Sequence, residues 1–400
     1  MMGVGMAEIV VLFGLLGGML GGPPGELKAP RDGVEQAVKW VLPDAHVAVY
    51  VDVEASIGAG FALLDELERL PVLAGAPELG EALREMRRSV ESGLADVQRD
   101  MGIDARHGIG DVTLSLSFSQ AGEPRFLARV RGRFPAGDVI KRVAGEGAAT
   151  ELLHGTTMTT LEDGPSDKLV AGALDETTLV VGPRSTLDEL LGGRPFPATE
   201  GSAGGRLAKV TSKKTGSFVY LAPPAWLAGE MRQEAELANL ARFVDGVDFV
   251  VWAATPDRAL LRAGTRTDEA ARRVELLLRA AAAMLAAFDP LTDALTLGAA
   301  AVLPLVTERE LGTELHRMVS DEQGMAEFGT WAKKRFGGKG KITRDAKKGT
   351  VDLELSNPAS LPALALPLLS GMAVLRGGPM SYEEAPLEVA PPVIDEPTDP

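Results

Sequence analysis

The feature that most constrains this chain is a stretch, Gly110–Val143, that recurs in outline at Gly246–Ala280. The first reads GDVTLSLSFSQAGEPRFLARVRGRFPAGDVIKRV and the second GVDFVVWAATPDRALLRAGTRTDEAARRVELLLRA. Each is an apolar run, a polar turn containing proline, a second apolar run closing on basic residues, and an amphipathic helix. Alternation over a short run reads as a strand with one buried face, and a polar break between two such runs reads as a hairpin. Two hairpin-plus-helix units predict an α+β protein, with two duplicated modules of antiparallel β-sheet and helices packed on one face. The apolar sheet faces are expected to carry Val112, Leu114 and Leu116 in the first copy, and Phe249 and Val251 in the second.

Flanking segments complete the modules, which we place at residues 42–195 and 206–376. Ala45–Val53 alternates as a strand, and Ser56–Leu70 reads as a helix. Glu78–Met101 carries Leu83, Met86, Val90, Leu94 and Val97 at spacings of three and four, one stripe of a long helix. Asp111–Phe118 pairs with Arg125–Phe134, and Thr156–Leu161 with Lys168–Leu174. Thr177–Gly182 is a further strand, followed by a short helix from Ser185. Gly192–Gly205 is rich in Gly and Pro and is read as a linker, its GSAGG run included. In the second half, Ser217–Leu221 is a strand and Ala225–Val244 one helix. A hairpin at Val247–Thr265 and a helix at Asp268–Phe288 follow. A helical insertion, 291–336, separates these from a last hairpin, Lys341–Asp345 with Thr350–Leu355.

The ends differ in character. Residues 1–30 contain the apolar run Ile9–Gly21, shorter than the roughly 20 residues of a spanning helix and of signal-peptide length. Export or membrane anchoring is the first expectation. An anchor facing the cytoplasm, supported by Lys28, Arg31 and Lys39 after the run, and a helix buried in a cytoplasmic protein are the alternatives. Leu361–Leu375 is apolar but interrupted by Pro362 and Pro367, which reads as a core segment rather than a membrane span. Residues 377–400 are acidic, rich in proline and without apolar periodicity, and are read as a disordered tail.

Four phrases in order, LPDAHVAVYVDV, MGIDARHGIGDVTLSLSF, EPRFLARVRGRF and LVAGALDETTLVVGPRSTLDELL, carry a family likeness. With Gly102-Ile103-Asp104, Gly132-Arg133-Phe134 and Val181-Gly182 as its marks, the chain resembles a loose group of uncharacterised exported bacterial proteins. The likeness spans residues 42–195 and, more weakly, 217–356. It implies tandem α+β modules and export; it brings no substrate, cofactor or active site.

Composition narrows the chemistry. The net charge of −15 disfavours a nucleic-acid partner, which needs an electropositive face. The absence of cysteine excludes thiolate catalysis, thiolate zinc sites and disulfides. The four histidines share no i, i+4 spacing. No nucleophile elbow, phosphate loop or dinucleotide-binding turn is present. Lys214-Thr215-Gly216 lacks the S-x-x-K of penicillin-recognising enzymes and reads as a turn into the next strand. The carboxylates Asp163, Asp167, Asp175, Glu310, Glu314 and Asp321, and His107, read as solvated surface.

The sharpest anomaly is basic. Lys333–Lys348 holds eight cationic residues against one acid, Asp345. Lys339, Lys341, Arg344, Lys347 and Lys348 are candidates for contact with an anionic envelope partner. The competing expectation is a solvated edge hairpin whose lysines block sheet-to-sheet pairing. Three functions are compatible with these observations: a non-catalytic envelope protein binding a protein or polyanion, a hydrolase or transferase whose active site assembles only in the fold, or a cytoplasmic scaffold. No metal and no cofactor are called for.

Overall fold

The computed structural model describes residues 33–71, 77–120, 124–163, 167–193, 199, 201–234, 237–286 and 322–357. The first half runs α1 (Gly33–Val38), β1 (Val47–Asp52), α2 (Val53–Glu68), α3 (Pro77–Met101), β2 (Ile109–Ser117), β3 (Arg125–Gly132) and α4 (Ala136–Ala144). It continues with β4 (Thr150–Leu153), β5 (Thr156–Asp163), β6 (Lys168–Asp175), β7 (Thr178–Pro183) and α5 (Arg184–Gly193). After α6 (Ala203–Ala208) come β8 (Ser217–Leu221), α7 (Leu227–Met231), α8 (Ala238–Gly246), β9 (Val247–Ala254), β10 (Ala259–Thr265) and α9 (Asp268–Ala286). The last described elements are α10 (Glu322–Phe336), β11 (Gly340–Asp345) and β12 (Thr350–Leu355). Residues 1–30, 377–400, Leu361–Leu375 and most of the insertion 291–336 lie outside the described residues, as do Glu310, Glu314 and Asp321.

The fold is α+β. The twelve strands of the described residues join one antiparallel sheet in the order β11-β12-β10-β9-β8-β1-β2-β3-β7-β6-β5-β4. The two halves meet where β1 pairs with β8, Val47 opposite Leu221 through Val51 opposite Ser217. Outward from that seam the order is the same on both sides for five strands: β1-β2-β3-β7-β6 one way, β8-β9-β10-β12-β11 the other. The register also steps alike. From Val49 the row of opposed residues runs through Leu114, Ala128, Val181 and Ala171. From Val219 it runs through Trp252, Leu261, Leu353 and Ile342. One residue further along each strand, Tyr50, Thr113 and Arg129 correspond to Tyr220, Val251 and Arg262. Among the described residues, β4 and β5 have no counterpart beyond β11.

Helices cover both faces, which corrects the expectation of one. On the first face, α4 sets Val139 and Ile140 against Ala171, Leu179 and Val181. On the other, α5 sets Leu187 and Leu190 against Leu127, Val170 and Val180, residues of opposite parity on the same strands. The cause is visible in β6 and β7, whose LVAGAL and TLVVG runs are continuously apolar, as strands buried on both sides must be. In the second half, Val274 and Leu278 of α9 pack on Trp252, Ala263, Val351 and Leu353. The face carrying Leu127 and Val180 continues across the seam, where α1 and α6 join Tyr50, Phe218 and Tyr220 in one buried cluster.

Local chemistry sets several boundaries. The Asp52 carboxylate accepts from the Ala55 backbone N–H at 3.0 Å and caps α2. α3 stops at Gly102, which takes φ +70, a conformation that favours glycine. The GSAGG run is a helix start rather than a linker: Ser202 Oγ accepts from Gly205 N at 3.0 Å, and Leu207 of α6 is fully buried. The single helix expected over Ala225–Val244 is two short ones, α7 and α8. Lys214-Thr215-Gly216 is the turn entering β8, with the Ser212 N–H donating to Thr215 Oγ1 at 2.9 Å. Among the described residues, no helix is long and apolar enough to cross a membrane.

Candidate functional site

β2 reads as apolar Val112, Leu114 and Leu116 alternating with polar Asp111, Thr113, Ser115 and Ser117. The polar row is the more deeply buried, with Asp111 and Ser115 at 0% exposure, while the apolar row is half-buried. This reverses the expected core face. Phe249 and Val251 lie on the same face as the β2 polar row, so Val112, Leu114 and Leu116 correspond instead to Val250, Trp252 and Ala254. Val251 is fully buried and Phe249 half-buried.

The buried row is tolerated because nearly every member has a partner. Arg129 Nη1 donates to Asp111 Oδ1 at 3.0 Å, and Arg131 Nε to Asp111 Oδ2 at 2.7 Å. The Leu42 N–H donates to Ser115 Oγ at 3.3 Å, and Ser117 Oγ donates to Asp44 Oδ2 at 2.8 Å. The row therefore fastens residues 40–46 across the sheet, with Trp40 lying 5.9 Å from the Arg129 guanidinium. Thr113 is the exception: its buried hydroxyl has no hydrogen-bond partner among the described residues.

Asp52 faces Asp111 across β1–β2. Burial is the main reason its carboxyl is pushed up to about 6; the Asp111 charge adds to this and the Ala55 N–H opposes it. Burial, then the charges of Asp111 and Asp52, raise the Tyr50 hydroxyl. Burial lowers Arg129 from its usual range, against the pull of Asp111. A carboxyl poised near neutrality is a candidate proton carrier. Here, however, Asp52 is 2% exposed and committed to the α2 cap. Beside it the Tyr50 hydroxyl lies so close under α1 that a Cβ on Gly33 would strike it.

Asp44, His46 and Ser117 converge at the opposite end of β1, the nearest approach to a Ser-His-Asp set among the described residues. The bonding directions differ from a nucleophilic triad. Ser117 gives its proton to Asp44, and His46 Nδ1 accepts from the Phe118 N–H at 3.0 Å, 3.5 Å from Ser117 Oγ. Burial lowers His46, with Asp44 acting the other way. Asp167 receives the Ser185 N–H and hydroxyl, and Asp175 the Thr177 N–H, so both serve loop and helix ends. His107 is exposed, 3.8 Å from Glu54. Among the described residues no three His, Asp or Glu side chains are grouped to hold a metal ion.

A shallow pocket of about 220 Å³ lies on the second half, lined by Ser212, Thr215, Thr255, Arg258, Asp352 and Glu354 among others. Its charges are engaged with one another: Arg258 binds Glu354 at 3.0 Å, and neighbouring Arg262 grips Asp352 through two bonds of 2.7 and 2.6 Å.

The basic hairpin forms the sheet edge at β11–β12, and its five candidates separate. Arg344 turns under the sheet to Asp268, and to Glu275 at 3.8 Å, both on α9. Lys348 pairs with Asp345 at 3.2 Å. Lys339, Lys341 and Lys347 are exposed, with no ion pair to another described residue. The exposed Lys333 and Lys334 close the last turn of α10 just before them. No protein-family model, no curated protein and no solved structure matches the chain.

Proposed function

We propose that this is a non-catalytic binding or structural protein of the bacterial cell envelope. In this reading two copies of one sheet-and-helix module are fused edge to edge, and an anionic partner is contacted through the β11–β12 edge. One observation carries it: Arg129 and Arg131 are engaged by Asp111, Arg206 by Asp248 and Arg262 by Asp352, while Lys339, Lys341 and Lys347 stand exposed on an edge hairpin of a chain of net charge −15. Support for the duplication comes from the shared five-strand order and the matching register rows on either side of the seam. Support for the envelope setting comes from the apolar run Ile9–Gly21 and from the likeness to exported bacterial proteins. The protein partner or polyanion is defined here by negative charge alone.

The test is co-sedimentation with phosphatidylglycerol vesicles at low salt, for the parent and for a chain with Lys339, Lys341, Lys347 and Lys348 changed to Gln. At least a tenfold loss of affinity in the variant is expected, with both proteins released as salt rises. No binding by the parent, or equal binding by both, removes the reading. Fractionation of a fusion carrying a reporter after residue 400 tests the envelope setting separately.

A further inference from the structure

The basic edge has a second, nearer source of negative charge. The chain leaves β12 beside the lysines and is pinned there. Ser356 N donates to the Lys339 carbonyl at 3.1 Å, and Lys339 N to Ser356 Oγ at 3.0 Å. Asn357 Nδ2 donates to the carbonyls of Arg335 and Gly337 at 2.7 and 3.0 Å. The strand register agrees, with Gly340 opposite Leu355. Beyond this point the sequence becomes strongly acidic: Glu383, Glu384, Glu388, Asp395, Glu396 and Asp399 occur with no Lys, Arg or His among them. On the structured side, Lys333, Lys334, Lys339, Lys341, Lys347 and Lys348 are exposed. Lys341 stands on β11, and Lys347 and Lys348 stand in the turn that follows it, so the row tracks the outer hairpin from its start to its tip. The residues between Asn357 and Glu383 span at most about 90 Å, so reach does not limit the contact.

We propose that the acidic segment 383–399 of the same chain docks on this lysine row and competes with the anionic partner. The inference rests on the reading of the lysines as an anion-contact surface. Its warrant is charge complementarity between two stretches tethered to each other, which makes their encounter intramolecular, at an effective concentration on the order of millimolar. Aspartate and glutamate carboxylates accept from the lysine ammonium groups as a phosphate would, and the contact weakens as salt screens it. The segment thus sets a threshold: a partner displaces it only by presenting more negative charge along the row.

Zero-length carbodiimide cross-linking of the full chain, read by mass spectrometry, is the first arm. Amide links from Glu383, Glu384, Glu388, Asp395, Glu396 or Asp399 to Lys339, Lys341 or Lys347 are expected at low salt and are lost at high salt. Mixing isotope-labelled and unlabelled chains shows whether they form within one chain. Absent links, links scattered over Lys209, Lys213 and Lys168, or links mainly between chains overturn the inference. The second arm changes the six acids to Gln or Asn in the full chain and measures binding to the same vesicles. About a tenfold gain is expected, and none when the four lysines are also Gln. Lysine-dependent vesicle binding without cross-links sinks the docking and leaves the proposed function standing. Cross-links without any vesicle binding do the reverse.

Discussion

Asp52 and Asp111 face one another across β1–β2, and the arginines are bonded to only one of them. Asp111 has Arg129 and Arg131; Asp52 has a single backbone N–H and a carboxyl pushed up to about 6, chiefly by burial. The folded state therefore favours protonated Asp52. Its contribution is most favourable below the unfolded value of 3.8 and is lost as pH rises to about 6. Asp52→Asn keeps an acceptor for Ala55 and removes the charge. The variant is expected to match the parent near pH 3.5 and to exceed it by up to about 3 kcal/mol above pH 7. Urea titrations at the two pH values decide it; equal stability at both defeats the assignment.

Asp111→Asn leaves the Arg129 guanidinium buried without its counter-charge, at an expected cost of about 3–5 kcal/mol. Adding Arg129→Met removes the stranded charge, and at least half of the loss is expected to return. A double variant as weak as the single one would show that Asp111 acts through something other than this pair.

Thr113 buries a hydroxyl with no hydrogen-bond partner among the described residues, and the matching place across the seam is held by Val251. Thr113→Val retains the shape and removes the unsatisfied group. A gain of about 1 kcal/mol is expected in chemical denaturation. A loss of stability would mean that the hydroxyl is satisfied in solution.

The Tyr220 hydroxyl accepts from Arg206 Nη1 at 2.9 Å, while Arg206 Nη2 holds Asp248 at 2.6 Å. Tyr220→Phe removes one charge-assisted bond and keeps the ring stacked on Phe249. A cost of about 1.5 kcal/mol is expected from the denaturation midpoint. An unchanged midpoint would place that bond's net worth at zero.

What was legible in the sequence was local. The β2–β3 and β11–β12 hairpins and the bounds of α4 follow from alternation and turn residues within a few positions. The burial of β2 did not follow, because hydrophobicity alone ranks Leu114 above Ser115. The opposite ranking depends on residues far along the chain, Leu42 and Asp44, arriving to satisfy the polar row. A trace of it was present: Asp111 on one strand and Arg129 and Arg131 on the next share a parity and have opposite charge. α6 was hidden by its glycines, since composition speaks for a linker while Ser202 speaks for a cap. The basic hairpin was found, but the diversion of Arg344 to Asp268 depends on how α9 packs beneath β11.

The β1–β8 seam has a consequence during synthesis. Val49 and Val219 are about 170 residues apart, so at ribosomal speeds β1 waits roughly 10–30 s for its partner to be made. Throughout that wait the β8-facing side of Val47–Val51 is an unpaired, valine-rich edge, the kind of template that captures neighbouring chains. A chain in which β1 has already paired with β2 keeps that edge open until Phe218 and Tyr220 arrive to close it.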